Sequence, residues 1–137
     1  MLDRQALARL RIEPCGITVT SRFTITLVFV KNSYWLEVVE HDPFGKKRKR
    51  QRLPVNKSEV DAQFEFLKRS TVPAFPISPL VCDGTYYELM VEGFCSTLTL
   101  GWWTAVPEGA ETFSNFADWL EDSAQLNCEE DSVDTSE

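Results

Sequence analysis

A chain of 137 residues with 43% hydrophobic and 12% aromatic side chains can bury one core without metal or disulfide staples, which excludes a natively disordered polymer. Its longest apolar run, Leu27-Val28-Phe29-Val30, is too short to cross a bilayer. Met1 to Gly16 carries Asp3, Arg4, Arg9, Arg11 and Glu13 where a secretory signal needs an apolar stretch. The expectation is a cytoplasmic protein with no membrane segment: one α+β domain over residues 1–126 and a disordered acidic tail over 127–137.

In chain order, Leu2 to Leu10 reads as a short helix. From Arg22 the period becomes two: Phe23, Ile25, Leu27 and Phe29 share a face, with Thr24, Thr26, Val28 and Val30 between them, as in a half-buried strand. Tyr34, Leu36 and Val38 continue that period on a return strand. A turn at Asn32-Ser33 sets Phe29 against Leu36 and Leu27 against Val38 in a hairpin. Asp42-Pro43-Phe44-Gly45 has the residues of a type I turn. Lys46 to Leu53, polar on both faces, then fits only an edge strand, whose charges discourage pairing with other chains.

Asn56-Lys57-Ser58-Glu59 looks like a capping box. The helix it opens places Val60, Phe64 and Leu67 on one face and ends near Ser70. Pro73, Pro76 and Pro79 give an extended connector. A second hairpin follows, with Tyr87, Leu89 and Val91 inward, a turn at Glu92-Gly93, and Leu98, Leu100 and Trp102 inward on the return. The last helix runs from about Phe113 to Ala124. Phe113, Phe116, Ala117, Leu120 and Ala124 form its apolar stripe, Asp118 and Asp122 lie opposite, and Glu121 sits nearer the stripe's edge. The expected fold class is therefore α+β: an antiparallel sheet of about five strands, two hairpins plus an edge strand, with helices packed on one face.

Cys15, Cys82, Cys95 and Cys128 form no C-x-x-C clip, and the single histidine, His41, is remote from all four in sequence. Neither a metal site nor any other cofactor is expected, and the thiols are expected to be free. No nucleophile elbow, phosphate loop, dinucleotide fingerprint or zinc-protease motif occurs, so no catalytic residue is assigned and the chain is read as a non-enzyme.

Charge is the strongest signal. Residues 1–69 hold all 14 Lys and Arg and 8 acids, a balance of +6; residues 70–137 hold 13 acids and no cation, a balance of −13. Eight of those acids fall between Asp118 and Glu137. Such a half is either a solubilising surface or an acidic face that docks on a basic partner, where complementary fields speed encounter and set register. The run Lys46-Lys47-Arg48-Lys49-Arg50-Gln51-Arg52 resembles a nuclear-localisation or phosphate patch, yet it also fits a solvated edge, and no stacking aromatics are interleaved with it. Pro73 to Pro79 reads either as a ligand for a proline-recognising module or as a stiff connector. Trp102 and Trp103 must point to opposite faces of a strand; Trp102 joins the core, and Trp103 is then covered or exposed. Trp119 lies on the flank of the last helix beside the acids. Exposed tryptophans next to charges serve as interface anchors.

Asp83-Gly84-Thr85-Tyr86-Tyr87-Glu88-Leu89, then Leu98-Thr99-Leu100-Gly101-Trp102-Trp103, then Pro107-Glu108-Gly109 and an amphipathic helix, resemble small uncharacterised bacterial proteins. In size, acidity and layout the chain is also similar to immunity proteins of contact-dependent and type VI toxin systems. The resemblance covers roughly residues 80–125 and includes no catalytic motif. It implies a cytoplasmic inhibitor that binds a cognate toxin and blocks its active site. Together with the charge asymmetry, this makes a protein with a basic surface the expected partner, met by Trp103, Asp118, Trp119, Glu121 and Asp122. The competing readings are a homodimeric structural or adaptor protein and a nucleic-acid-associated protein that uses strand 46–52.

Overall fold

The computed structural model describes residues 4–14, 21–42, 47–71, 85–92, 97–103 and 108–124. Among these residues six strands and two helices follow in the order β1 (Arg4–Pro14), β2 (Arg22–Val30), β3 (Ser33–His41), β4 (Lys47–Val55), α1 (Lys57–Lys68), β5 (Thr85–Glu92), β6 (Thr97–Trp103) and α2 (Glu111–Ser123). The strands form one sheet in the order β4-β3-β2-β1-β5-β6, antiparallel at every described pairing. The fold class is α+β, with one strand more than the period of the sequence suggests.

The extra strand is β1, where a short helix is expected from Leu2 to Leu10. Ala8, Leu10 and Ile12 alternate into the core, but the register slips between Ala6 and Ala8. That irregularity inserts Leu7 and breaks the period of two. The resulting Ala6, Leu7 and Leu10 spacing imitates a helix face. In the structure β1 is central, bonded to β2 on one side and β5 on the other.

The β2–β3 hairpin turns at Lys31-Asn32, whose φ angles are 51° and 64°, in place of Asn32-Ser33. Two successive left-handed residues make the turn whose twist matches that of the flanking strands. Phe29 therefore faces Tyr34, Leu27 faces Leu36 and Ile25 faces Val38. The slide is two residues, so every side chain keeps its face. β4 is an edge strand, as its charges require, although Leu53 and Val55 at its far end pack against the core.

Asn56 caps α1, its side-chain oxygen accepting from Ser58 N at 2.8 Å. Val60 and Leu67 are buried and Phe64 packs against them. In α2 the buried residues are Phe113, Phe116, Ala117 and Leu120, with Ala124 just beyond. The second hairpin pairs Val91 with Leu98, Leu89 with Leu100 and Tyr87 with Trp102. The Tyr87 and Trp102 rings stack at 5.6 Å and 18°. Both helices share one core cluster with the inward residues of the strands, so they cover the same sheet face. Leu10, Ile25, Leu27, Leu36, Leu89 and Leu120 are fully buried, each stabilising by about 1.5–3 kcal/mol relative to exposure. The expected turn at Pro43 to Gly45, the proline connector, all four cysteines and the acidic tail lie outside the described residues.

Candidate functional site

Most carboxylates on the described strands and on α1 lie against a cation. Glu37 binds Arg4 at 2.5 Å and Arg52 at 2.9 Å; these contacts, the Arg4 hydrogen bond foremost, hold its carboxyl below the ordinary range. Arg11 bridges Glu13 and Glu88, Lys57 meets Asp61 at 2.9 Å, and Lys68 lies 3.6 Å from Glu65. The basic strand is drawn into this pattern, since the Arg52 guanidinium also sits 5.6 Å over the Trp35 ring.

The end of α2 is different. Asp118, Glu121 and Asp122 fall three and four residues apart, the spacing that puts helical side chains side by side. Among the described residues none of the three has an ion-pair partner. Asp118 and Asp122 are exposed and Glu121 is half-buried, as the helix pattern implies. Burial first, then the Asp122 charge, pushes the Asp118 carboxyl up. Burial, followed by Asp118 and Asp122, does the same to Glu121. Like charges crowd here at the expense of their own ionisation.

These acids stand near the β5–β6 end of the helical layer. The Tyr87 phenol is raised by burial and then by the charges of Glu121 and Asp118. The sequence pattern assigns Tyr87 to the core because it alternates with Leu89 and Val91; its position beside the acidic patch depends on where α2 crosses the sheet, which strand periodicity does not encode.

The two tryptophans part company with the acids. Trp119 turns toward α1: its ring lies 5.7 Å from Phe116 and its Nε1–H donates to Glu59 Oε1 at 3.3 Å. The Glu59 carboxylate, expected to complete the cap of α1, is engaged across the helix pair instead. Trp103 is 38% exposed and faces away from the helices, its ring 5.0 Å from that of Tyr86. Of the five residues expected to meet a partner, the fold gathers the three carboxylates, leaves Trp103 on the other face of the same sheet edge, and places Trp119 between the helices.

Two concavities lie among the described residues. An apolar groove of about 650 Å³ runs between α1 and the sheet, past Leu7, Tyr34, Phe64, Val91 and Leu98. A polar one of about 290 Å³ on the opposite face is lined by Arg11, Glu13, Arg22 and His41. Among the described residues no three His, Cys, Asp or Glu side chains are grouped to hold a metal ion, and no helix is long and apolar enough to cross a membrane. The chain matches no protein-family model and no curated protein.

Proposed function

We propose that this chain is a non-catalytic, cytoplasmic binding protein that docks the acidic face of α2 on a basic partner, in the manner of an immunity-type inhibitor on a cognate toxin. The observation that carries this reading is the contrast between the carboxylates of the strands and α1, most of them ion-paired, and Asp118, Glu121 and Asp122, which have no ion-pair partner among the described residues. A cation brought to that patch relieves repulsion already present in the free protein and forms charge-assisted hydrogen bonds. Glu121, half-buried, is pre-set for the strongest of them. Blocking a basic active site in this way needs no chemistry from the inhibitor.

The basic strand is the weaker candidate for function. Arg52 is committed to Glu37 and Trp35, and Arg4 shares the same glutamate, so part of the positive field is compensated within the sheet.

The test is coexpression and a binding titration with the product of the adjacent reading frame. Wild type is expected to neutralise and bind it, and the double variant Asp118→Lys, Asp122→Lys to bind more weakly by a few kcal/mol, on the order of the cost of opposed interfacial charges. Equal affinity of the two forms at low salt would overturn the reading.

A further inference from the structure

The two ends of the sheet are built differently. At one end β4 exposes Lys49, Arg50, Arg52 and Pro54, charges and a proline that guard a strand edge against further pairing. At the other end β6 reads Thr97-Leu98-Thr99-Leu100-Gly101-Trp102-Trp103, without a charge or a proline. Thr97, Leu98, Thr99, Gly101 and Trp103 are all exposed there. Among the described residues no strand pairs with the outer side of β6, and such an edge presents a row of backbone donors and acceptors, the template on which extended segments add.

What flanks this edge decides what it takes. On the helix face lie Asp118 and Glu121, close enough to act on Tyr87, which stacks on Trp102 of β6. On the opposite face Glu88 and Glu92 of β5 point the same way as Trp103. Residues 70–137 contain no Lys or Arg; the described cations that border this region come from other elements, Arg11 held by Glu88, Arg9 opposite Met90 and Lys68, which lines a groove with Glu92 and Leu98 and lies 3.6 Å from Glu65. A second copy brought edge to edge would set these acids against their own kind. An incoming strand sends alternate side chains to both faces, so a basic segment meets carboxylates on each.

We propose that the β6 edge is a strand-docking site that takes an extended, lysine- or arginine-rich segment of a partner, which adds to the sheet beside β6. Its backbone pairs with Thr97–Trp103, its basic side chains reach Asp118 and Glu121 on one face and Glu92 on the other, and Leu98 and Trp103 are covered. The inference rests on the acidic-face reading above and adds to it the form of the partner.

The experiment uses the full chain and peptides of β6's length alternating lysine with valine, in four forms: unmodified, with glutamate for lysine, and with alternate backbone amides N-methylated in one phase or the other. Titrations are read together with hydrogen exchange of the Thr97–Trp103 amides. Expected are binding of the lysine peptide, slowed exchange along β6, and a loss of about tenfold or more in affinity for the glutamate form. A similar loss is expected for the N-methylated phase that blocks pairing. If both N-methylated peptides bind like the unmodified one and β6 exchange is unchanged, strand docking is overturned while the acidic-face reading stands. If the lysine peptide fails to bind, strand docking falls; if it binds Asp118→Lys, Asp122→Lys equally well, the acidic-face reading falls with it. If the chain alone self-associates with β6 protected, the occupant is a second copy and the proposal is wrong.

Discussion

Trp119 of α2 donates its indole N–H to Glu59 of α1 across 3.3 Å, and this hydrogen bond ties together two helices that also meet through the Phe64–Phe116 edge contact at 5.5 Å. Trp119→Phe keeps the ring against Phe116 and removes only the donor. A loss of at most about 1 kcal/mol is expected, the net value of one such bond. Trp119→Ala, which also strips packing from the helix pair, should cost distinctly more. Chemical denaturation of the two variants checks the order.

Acid and base titration should expose the α2 patch. Asp118 and Glu121 both have raised carboxyls in the folded chain, so the native state binds more protons than the unfolded one through their titration. Their contribution is most favourable below their ordinary values of 3.8 and 4.5 and is lost as pH rises through the folded values. Asp118→Asn with Glu121→Gln is therefore expected to melt higher than wild type at pH 7, the difference closing below about pH 4. Glu37 has the opposite sign: its carboxyl is lowered by Arg4 and Arg52, so its support is present above its ordinary value and disappears as pH falls through the folded one.

Gly101 is occupied by its neighbour. A Cβ there would meet the Tyr86 hydroxyl oxygen and stand 2.9 Å from ring carbon Cζ, because Tyr86 lies across β6 and packs on Trp103. Gly101→Ala must push that ring aside, destabilising the chain by about 1 kcal/mol or more and altering Trp103 fluorescence. In a Tyr86→Ala background the same change should cost little. A double-mutant cycle measures the coupling.

Leu10→Ala is expected to cost about 2–5 kcal/mol, since Leu10 is fully buried in the middle of the sheet. Leu7, at the register irregularity and only partly buried, should cost less. Were β1 a peripheral helix, both substitutions would be mild; equilibrium unfolding of the pair distinguishes the two arrangements.

That contrast shows what the residue pattern does and does not carry. No register shift breaks the period of two in the β2–β3 and β5–β6 hairpins, and the faces of Leu27, Leu36, Leu89 and Trp102 are legible from it alone. The β2–β3 register is not, because Lys31 adopts a left-handed conformation usually left to Gly, Asn or Asp, and nothing in its side chain announces that. One extra residue at Leu7 suffices to disguise a central strand. Within the candidate site, the exposure of Asp118 and Asp122 follows from helix periodicity. The capture of Trp119 by Glu59 and the nearness of Tyr87 depend on how helices cross the sheet, which is a tertiary matter.

The central position of β1 has a consequence for how the chain comes together. β1 and β2 are adjacent in sequence and can pair as soon as they are synthesised, but the other side of β1 waits for Thr85–Glu92, some seventy residues later. Until then β1 is itself an outermost strand of a nascent four-stranded sheet. Arg9 and Arg11, spaced along its helix-free face, provide during that interval the charge that restrains stray pairing of an unfinished sheet. Closure of β5 onto β1 is the long-range step, and topology makes it the slow one.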